Sequence, residues 1–296
     1  MNHKRFLSIG TAMPLAACAV LMFGACSGKK SNDNSSASNS QTVFATDSIS
    51  WNDSVATPAG NKANYDITVE WPKDGNPELL SSVRSWIANK LTASPSGNPD
   101  DTISAPLPAD CLTNGKKLLS TIGTRTLTSA KKELSEYDSL KMPSPMGYEY
   151  LWKITDLYQT DKFVTYGALN YVYLGGAHGG TSFAAQVFRL DDGKQFGWDM
   201  FQTDSLPRLK TLIKEGLMSQ YFEVKTESQF KDALLINPDT LPLPVSAPYF
   251  MPKGVNFDYQ QYEIAPYAAG MPSCVLPYSV VKPMLTPEAA KLLPSE

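Results

Sequence analysis

The chain is 296 residues long and carries 26 Lys and Arg against 29 Asp and Glu, a formal charge of −3. That balance lacks the excess positive charge with which a protein neutralises phosphates, so nucleic acid is not expected as a partner. Two histidines and four cysteines are a poor basis for zinc, which needs several such ligands at defined spacing, and no DxDxDG loop offers calcium its oxygens; neither a metal nor a cofactor is expected.

His3, Lys4 and Arg5 precede an apolar run from Phe6 to Ala25 that stops at Cys26, and this reads as a secretory signal. Residues 1–26 are expected to be a leader. Residues 27–60, which open with SGKKSNDNSSASNSQT, are expected to be a flexible polar tether, because a stretch without apolar periodicity cannot bury enough surface to offset its chain entropy. A cysteine at such a border resembles the lipidation site of bacterial lipoproteins. Cys18, in LAAC, is the better local match, but cleavage there leaves AVLMFGAC as an apolar tail, which favours Cys26. An uncleaved membrane span is the bland alternative, with Pro14 and the small-residue end of the run against it. The expected location is the cell envelope, with a lipid anchor as the one membrane contact and the folded part in the periplasm or at the cell surface.

The remaining chain is long enough for one large domain or two small ones. NYDITVEW alternates Tyr65, Ile67, Val69 and Trp71 with polar neighbours, the pattern of a strand with one wet face. In NPELLSSVRSWIANKL, Asn76 can cap, Pro77 fits a first helical turn, and Leu79, Leu80, Val83, Trp86, Ile87 and Leu91 recur at helical spacing. A connector rich in Pro, Asp and Ser leads to a weaker helical stretch from Cys111 to Tyr137. YEYLWKITDLY and KFVTYGALNYVYL, separated by QTD, read as a hairpin. TSFAAQVFRL follows as a third strand, and DDGK as a turn in which Gly193 supplies a positive φ. Helical spacing returns through Leu206, Leu209, Leu212, Ile213 and Leu217, and a short helix is expected from Thr226, with Gln229 completing a capping box. The segment from Tyr249 to Leu285 is strand-like and broken by prolines. The fold class this predicts is α+β, a mostly antiparallel sheet with helices packed on it.

Cys111 and Cys274 remain beyond Cys26. An oxidising compartment would let them pair, and two buried free thiols are the equal alternative.

The glycine-rich corner YLGGAHGG holds His178. Its first reading is geometric: Gly175, Gly176, Gly179 and Gly180 let the chain turn through positive φ and pass close to a neighbour, while His178 satisfies nearby backbone groups. Its second is a ligand contact. No GxSxG elbow accompanies His178, and Asp191 and Asp192, before Gly193, read as turn formers; no catalytic residue is assigned. Tyrosines and phenylalanines cluster along the hairpin and again from Tyr249 to Tyr267. Most are expected in the core, and an exposed minority would make a platform for a protein or glycan.

YVYLGGAHGGTSFAAQVFRLDDGKQFGWDMF and, further on, KGVNFDYQQYEIAPYAAGMPSCVLPYSVVKPML resemble the extracellular module of the anti-sigma factor RsiV and its relatives of unassigned function. The stretch from Asn64 to Leu174 is similar, more weakly, to the segment that precedes this module in RsiV and in the peptidoglycan deacetylase PdaC. The resemblance implies two abutting halves, residues 61–174 and 175–296. It also implies a binding role, since the module of RsiV senses lysozyme by binding it. Lysozyme-type muramidases or cell-wall glycan are the ligand classes implied, with His178, Tyr262, Pro266 and Tyr267 as candidate contacts. Five residues before the apolar run leave no seat for a sigma factor, and no deacetylase domain is expected. A non-enzymatic binding module is therefore the leading expectation; an enzyme acting on peptidoglycan or another glycan, and a structural scaffold in an envelope complex, are the alternatives.

Overall fold

The computed structural model describes residues 44–93, 105–140 and 147–294. The leader, Cys18 and Cys26 lie outside them. Among the described residues no helix is long and apolar enough to cross a membrane.

A six-stranded sheet runs in the order β1 (Ala45–Ala56), β2 (Lys62–Asp74), β3 (Tyr148–Gln159), β4 (Phe163–Tyr173), β5 (Gly180–Arg189) and β6 (Gln195–Phe196). Every neighbouring pair is antiparallel except β2 and β3. A parallel pair needs a long crossover, and here it carries α1 (Pro77–Thr92) and α2 (Gly115–Ser139), which cover one face of the sheet.

The chain then leaves the sheet. It forms α3 (Leu206–Gly216), which runs on through a π-helical turn at Leu217–Tyr221, and α4 (Glu227–Ala233). A separate three-stranded antiparallel sheet follows, β7 (Tyr249–Met251), β8 (Gly254–Asp258) and β9 (Ser273–Leu276), with short α5 (Tyr278–Val281) and α6 (Pro287–Ala290) at the end. The architecture is α+β, as the sequence pattern predicts, and the helix from Thr226 starts with the expected capping box.

The tether expected over residues 27–60 is corrected from Ala45 onward. Residues 45–56 are a full edge strand, in register with β2 from Asp47↔Trp71 to Ala56↔Lys62. Its inward residues Ile49, Trp51 and Val55 pack on the helix-covered core. Between them Ser50, Asn52 and Ser54 stand on the wet face, and Asp53 falls on the inward side, so the strand carries little apolar signal of its own. Glycines on one stripe of α2 let it come down on this strand: a Cβ at Gly115 would stand 2.5 Å from Ile49 Cδ1.

The line expected between residues 174 and 175 falls inside the sheet. β4 and β5 are paired from Phe163↔Arg189 to Val172↔Gly180, and β4 is buried on both faces. Val164, Tyr166 and Ala168 face the core under α1 and α2. Phe163 belongs to the core of the C-terminal lobe, and the Thr165 hydroxyl donates to Phe250 O at 2.8 Å on that side. A bulge between Asp156 and Tyr158 brings Leu157 and Tyr158 against the same lobe. The result is three layers: helices, the large sheet, and a C-terminal lobe that covers only part of the sheet's second face.

The turn before β6 joins the layers. Asn76 accepts from Leu79 N as the cap of α1 and donates to Leu190 O and Asp191 O. Gly193 has φ 69°, and a Cβ there would sit 2.8 Å from Glu78 O, so this position needs glycine twice over. Arg189 reaches Asp192 and, at 2.7 Å, Glu288 of α6. The cysteine pairing that the sequence left open does not form. Cys111 lies in one core and Cys274 in the other, both buried and free.

Candidate functional site

The glycine corner joins β4 to β5, and its geometry comes from backbone freedom. Gly175 and Gly176 take φ of 85° and 91°. Gly179 is small for a different reason: a Cβ there would meet the Tyr171 ring at 2.5 Å. The chain thus doubles back across Tyr171 and leaves His178 exposed at the tip.

β5 is paired on one side by β4 along its length, but on the other β6 covers only Val187 and Phe188. The open N–H groups of the first half of β5 need acceptors. Thr181 N donates to Gln261 Oε1 at 2.8 Å and Phe183 N to Gln260 Oε1 at 3.1 Å. Gln260 completes the pattern, its Nε2 donating to Phe183 O at 2.7 Å. Two glutamine side chains therefore stand in for a neighbouring strand, and they fix the loop 260–270 against the corner.

In that loop Glu263 N donates to Gln260 O at 3.1 Å, closing a four-residue turn with Tyr262 third. Its φ is 64°, the conformation a type II turn reserves for glycine or asparagine. A bulky residue there is strained by an amount on the order of 1–2 kcal/mol. The surroundings enforce it. The Glu263 carboxylate accepts from Gln260 N at 2.7 Å and Val245 N at 2.8 Å, and Ile264 and Ala265 are fully buried. Tyr262 itself is 55% exposed.

Three of the four candidate residues converge, across 84 positions of sequence. His178 lies flat on Tyr267, ring centroids 3.8 Å apart and planes at 19°. Tyr262 flanks the stack, 6.4 Å from His178 and 5.7 Å from Tyr267, with planes within 35° of both. His178 Nδ1 meets Gly179 O at 3.1 Å, the same carbonyl that accepts from the Tyr267 hydroxyl at 3.0 Å. The Tyr262 hydroxyl is 3.4 Å from Nε2. With Nδ1–H donating to a carbonyl, Nε2 is the accepting nitrogen. Pro266 is exposed and joins no ring contact; it is the N-cap of the 3₁₀ turn Tyr267–Ala269, at φ −64°, and so aims Tyr267.

His178 and Tyr267 cover one face of each other, and with Tyr262 tilted beside them they form a small aromatic platform whose free faces point outward. Such a surface offers π faces to a sugar ring, an aromatic side chain or a guanidinium. The polar groups that meet His178 are a carbonyl and a phenol, and among the described residues no three His, Cys, Asp or Glu side chains converge to hold a metal ion. Sequence reasoning passed over Gln260, Gln261 and Glu263, which build the platform without belonging to it. Their signal, a polar run before Ile264 and Ala265, is indistinguishable locally from any loop.

Residues 198–279 match the family described as "Protein of unknown function (DUF3298)". That match takes in Tyr262, Pro266 and Tyr267 and stops short of the His178 corner. Among solved structures, the chain is similar to a DUF3298-family member from Bacteroides fragilis NCTC 9343. The two share 20% identity over 85% of this chain and 98% of that one, with a TM-score of 0.69. A DUF3298-family protein from Pseudomonas aeruginosa PAO1 aligns at 15% identity over the same shares, with a TM-score of 0.53. These likenesses show the fold. No curated protein matches the chain.

Proposed function

We propose that this chain is a non-enzymatic binding module of the cell envelope, lipid-anchored through Cys26, and that the His178–Tyr267 platform with Tyr262 beside it is its ligand contact. One observation carries the reading. A tyrosine is held exposed in a backbone conformation that costs free energy, next to two stacked rings, and strain of this kind persists where a side chain is needed in place. The resemblance to the RsiV module supplies the ligand classes, a lysozyme-type muramidase or cell-wall glycan.

Calorimetric titration tests it. Hen-type lysozyme and cell-wall oligosaccharides are titrated into the wild type and into Tyr262→Gly and Tyr267→Ala. Binding of either ligand, weakened tenfold or more by both substitutions, is the expected result. Binding of neither, at low salt and high protein concentration, ends the proposal.

A further inference from the structure

The C-terminal lobe covers only the lower part of the sheet's second face, and what it leaves open is a depression of ≈ 560 Å³ across β1, β2, β3 and β4. Side chains alternate along a strand, and the registers Asn52↔Asp66, Asn64↔Glu149 and Leu151↔Tyr171 place those residues on this one face. Asn52, Ser54, Asn64, Asp66 and Glu149 are all exposed there, and none of their side chains bonds to the rest of the described protein.

The depression ends beside the platform. Tyr171 closes its far end, its ring lies against Gly179, and the Gly179 carbonyl accepts from Tyr267. The polar bed and the rings are thus neighbours across Tyr171, with three strand spacings of about 4.8 Å each between β1 and β4.

The geometry points to a neutral linear glycan as its occupant, lying across the strands with hydroxyl groups on the bed and a sugar face on the rings. This rests on the binding reading above and names the ligand class. The inventory argues for it. Two carboxylates accept, two carboxamides both donate and accept, and one hydroxyl does either; that mixture suits a polyol, whose every hydroxyl needs both roles. No Lys or Arg lines the depression, so an acidic glycan would set its charges against Asp66 and Glu149. An extended peptide would bind through its backbone along a sheet edge, here the outer edge of β1, and not across the bed, where β2 and β3 are paired on both sides.

The test uses the full chain and three probes: a β-linked glucose or N-acetylglucosamine tetramer, a polygalacturonate tetramer, and hen-type lysozyme. Chemical-shift changes and calorimetry are read for the wild type, Asp66→Asn, Glu149→Gln, Asn64→Ala and Tyr267→Ala. All three sheet positions are exposed, so the fold tolerates these changes, and a melting curve checks this. The expected result is that a neutral tetramer binds, the polyuronate binds at least tenfold more weakly, and each sheet-face substitution weakens the neutral tetramer fivefold or more. Neutral-tetramer binding lost only in Tyr267→Ala overturns the sheet-face assignment and leaves the platform standing. Equal or tighter binding of the polyuronate overturns the choice of a neutral ligand. Lysozyme binding with no response to any tetramer overturns the glycan inference and keeps the binding module, whereas silence from all three probes removes both.

Discussion

Trp51 lies directly on Gly123: a Cβ at Gly123 would stand 1.9 Å from Trp51 Cζ3. Gly123 sits in the middle of α2 and Trp51 on the edge strand, so the indole occupies the notch left by the missing side chain. Helix propensity alone would favour alanine there by about 1 kcal/mol. Overpacking reverses the sign. Gly123→Ala is expected to destabilise the protein by about 1–3 kcal/mol in denaturant unfolding. Adding Trp51→Leu should recover part of the loss as a non-additive term. A Gly123→Ala protein at least as stable as wild type would show that β1 does not depend on this contact.

Asp258 gives the protein a pH dependence of unusual sign for a carboxylate. Burial beside Cys274 and Tyr249 raises it from the usual range to about 6, against the opposing hydrogen bond from the Tyr249 hydroxyl at 2.6 Å. The folded state therefore holds a proton that the unfolded state has released between about pH 4 and 6. Stability is full below this window and falls as pH rises through it, by about 2–3 kcal/mol for two units. Asp258→Asn keeps an acceptor for Tyr249 and removes the charge. It should raise the melting temperature at pH 8 and leave it nearly unchanged at pH 4. Parallel stability curves for the two proteins across pH 4–7 would refute this.

The two buried thiols should be inert. Burial pushes Cys274 up to about 12, so it carries almost no thiolate at neutral pH, and Cys111 is fully buried. Alkylation mapped by peptide should leave both unmodified in native protein and label both after unfolding. Recovery of a Cys111–Cys274 crosslinked peptide would contradict the separation of the two cores.

Thr226 caps α4 reciprocally: Gln229 N donates to its hydroxyl at 3.3 Å, and Gln229 Oε1 accepts from Thr226 N at 3.2 Å. Thr226→Ala is expected to cost about 1 kcal/mol, with Thr226→Ser close to neutral. Equal losses for Ala and Ser would mean that the methyl group matters and the hydroxyl does not.

Much of the fold was readable because its elements announce themselves locally. Leu79 through Leu91 repeat at helical spacing, and the hairpin from Tyr148 to Tyr173 is rich in aromatic and β-branched residues. β1 escaped because its sequence spends only Ile49, Trp51 and Val55 on the core; what holds it is α2, more than sixty residues away. The bulge at Asp156–Tyr158 escaped because alternation there is broken by one residue, a change that only the partner strand defines. The site divides the same way. His178 and Tyr262–Tyr267 stood out as unusual strings, and their meeting is a tertiary fact that no local pattern encodes. Asn52, Asn64, Asp66 and Glu149 were invisible because they share a face only once the register of three strands is set.

The double-sided burial of β4 has a consequence for how such a molecule could be rearranged over evolutionary time. A strand that serves as common wall to two lobes constrains both, so neither lobe can be exchanged as a cassette at the β4–β5 junction without exposing the apolar residues that the other supplied. Recombination would be tolerated only where it carries the whole wall along, and the outward surfaces, free of that obligation, are where new binding preferences could be drafted.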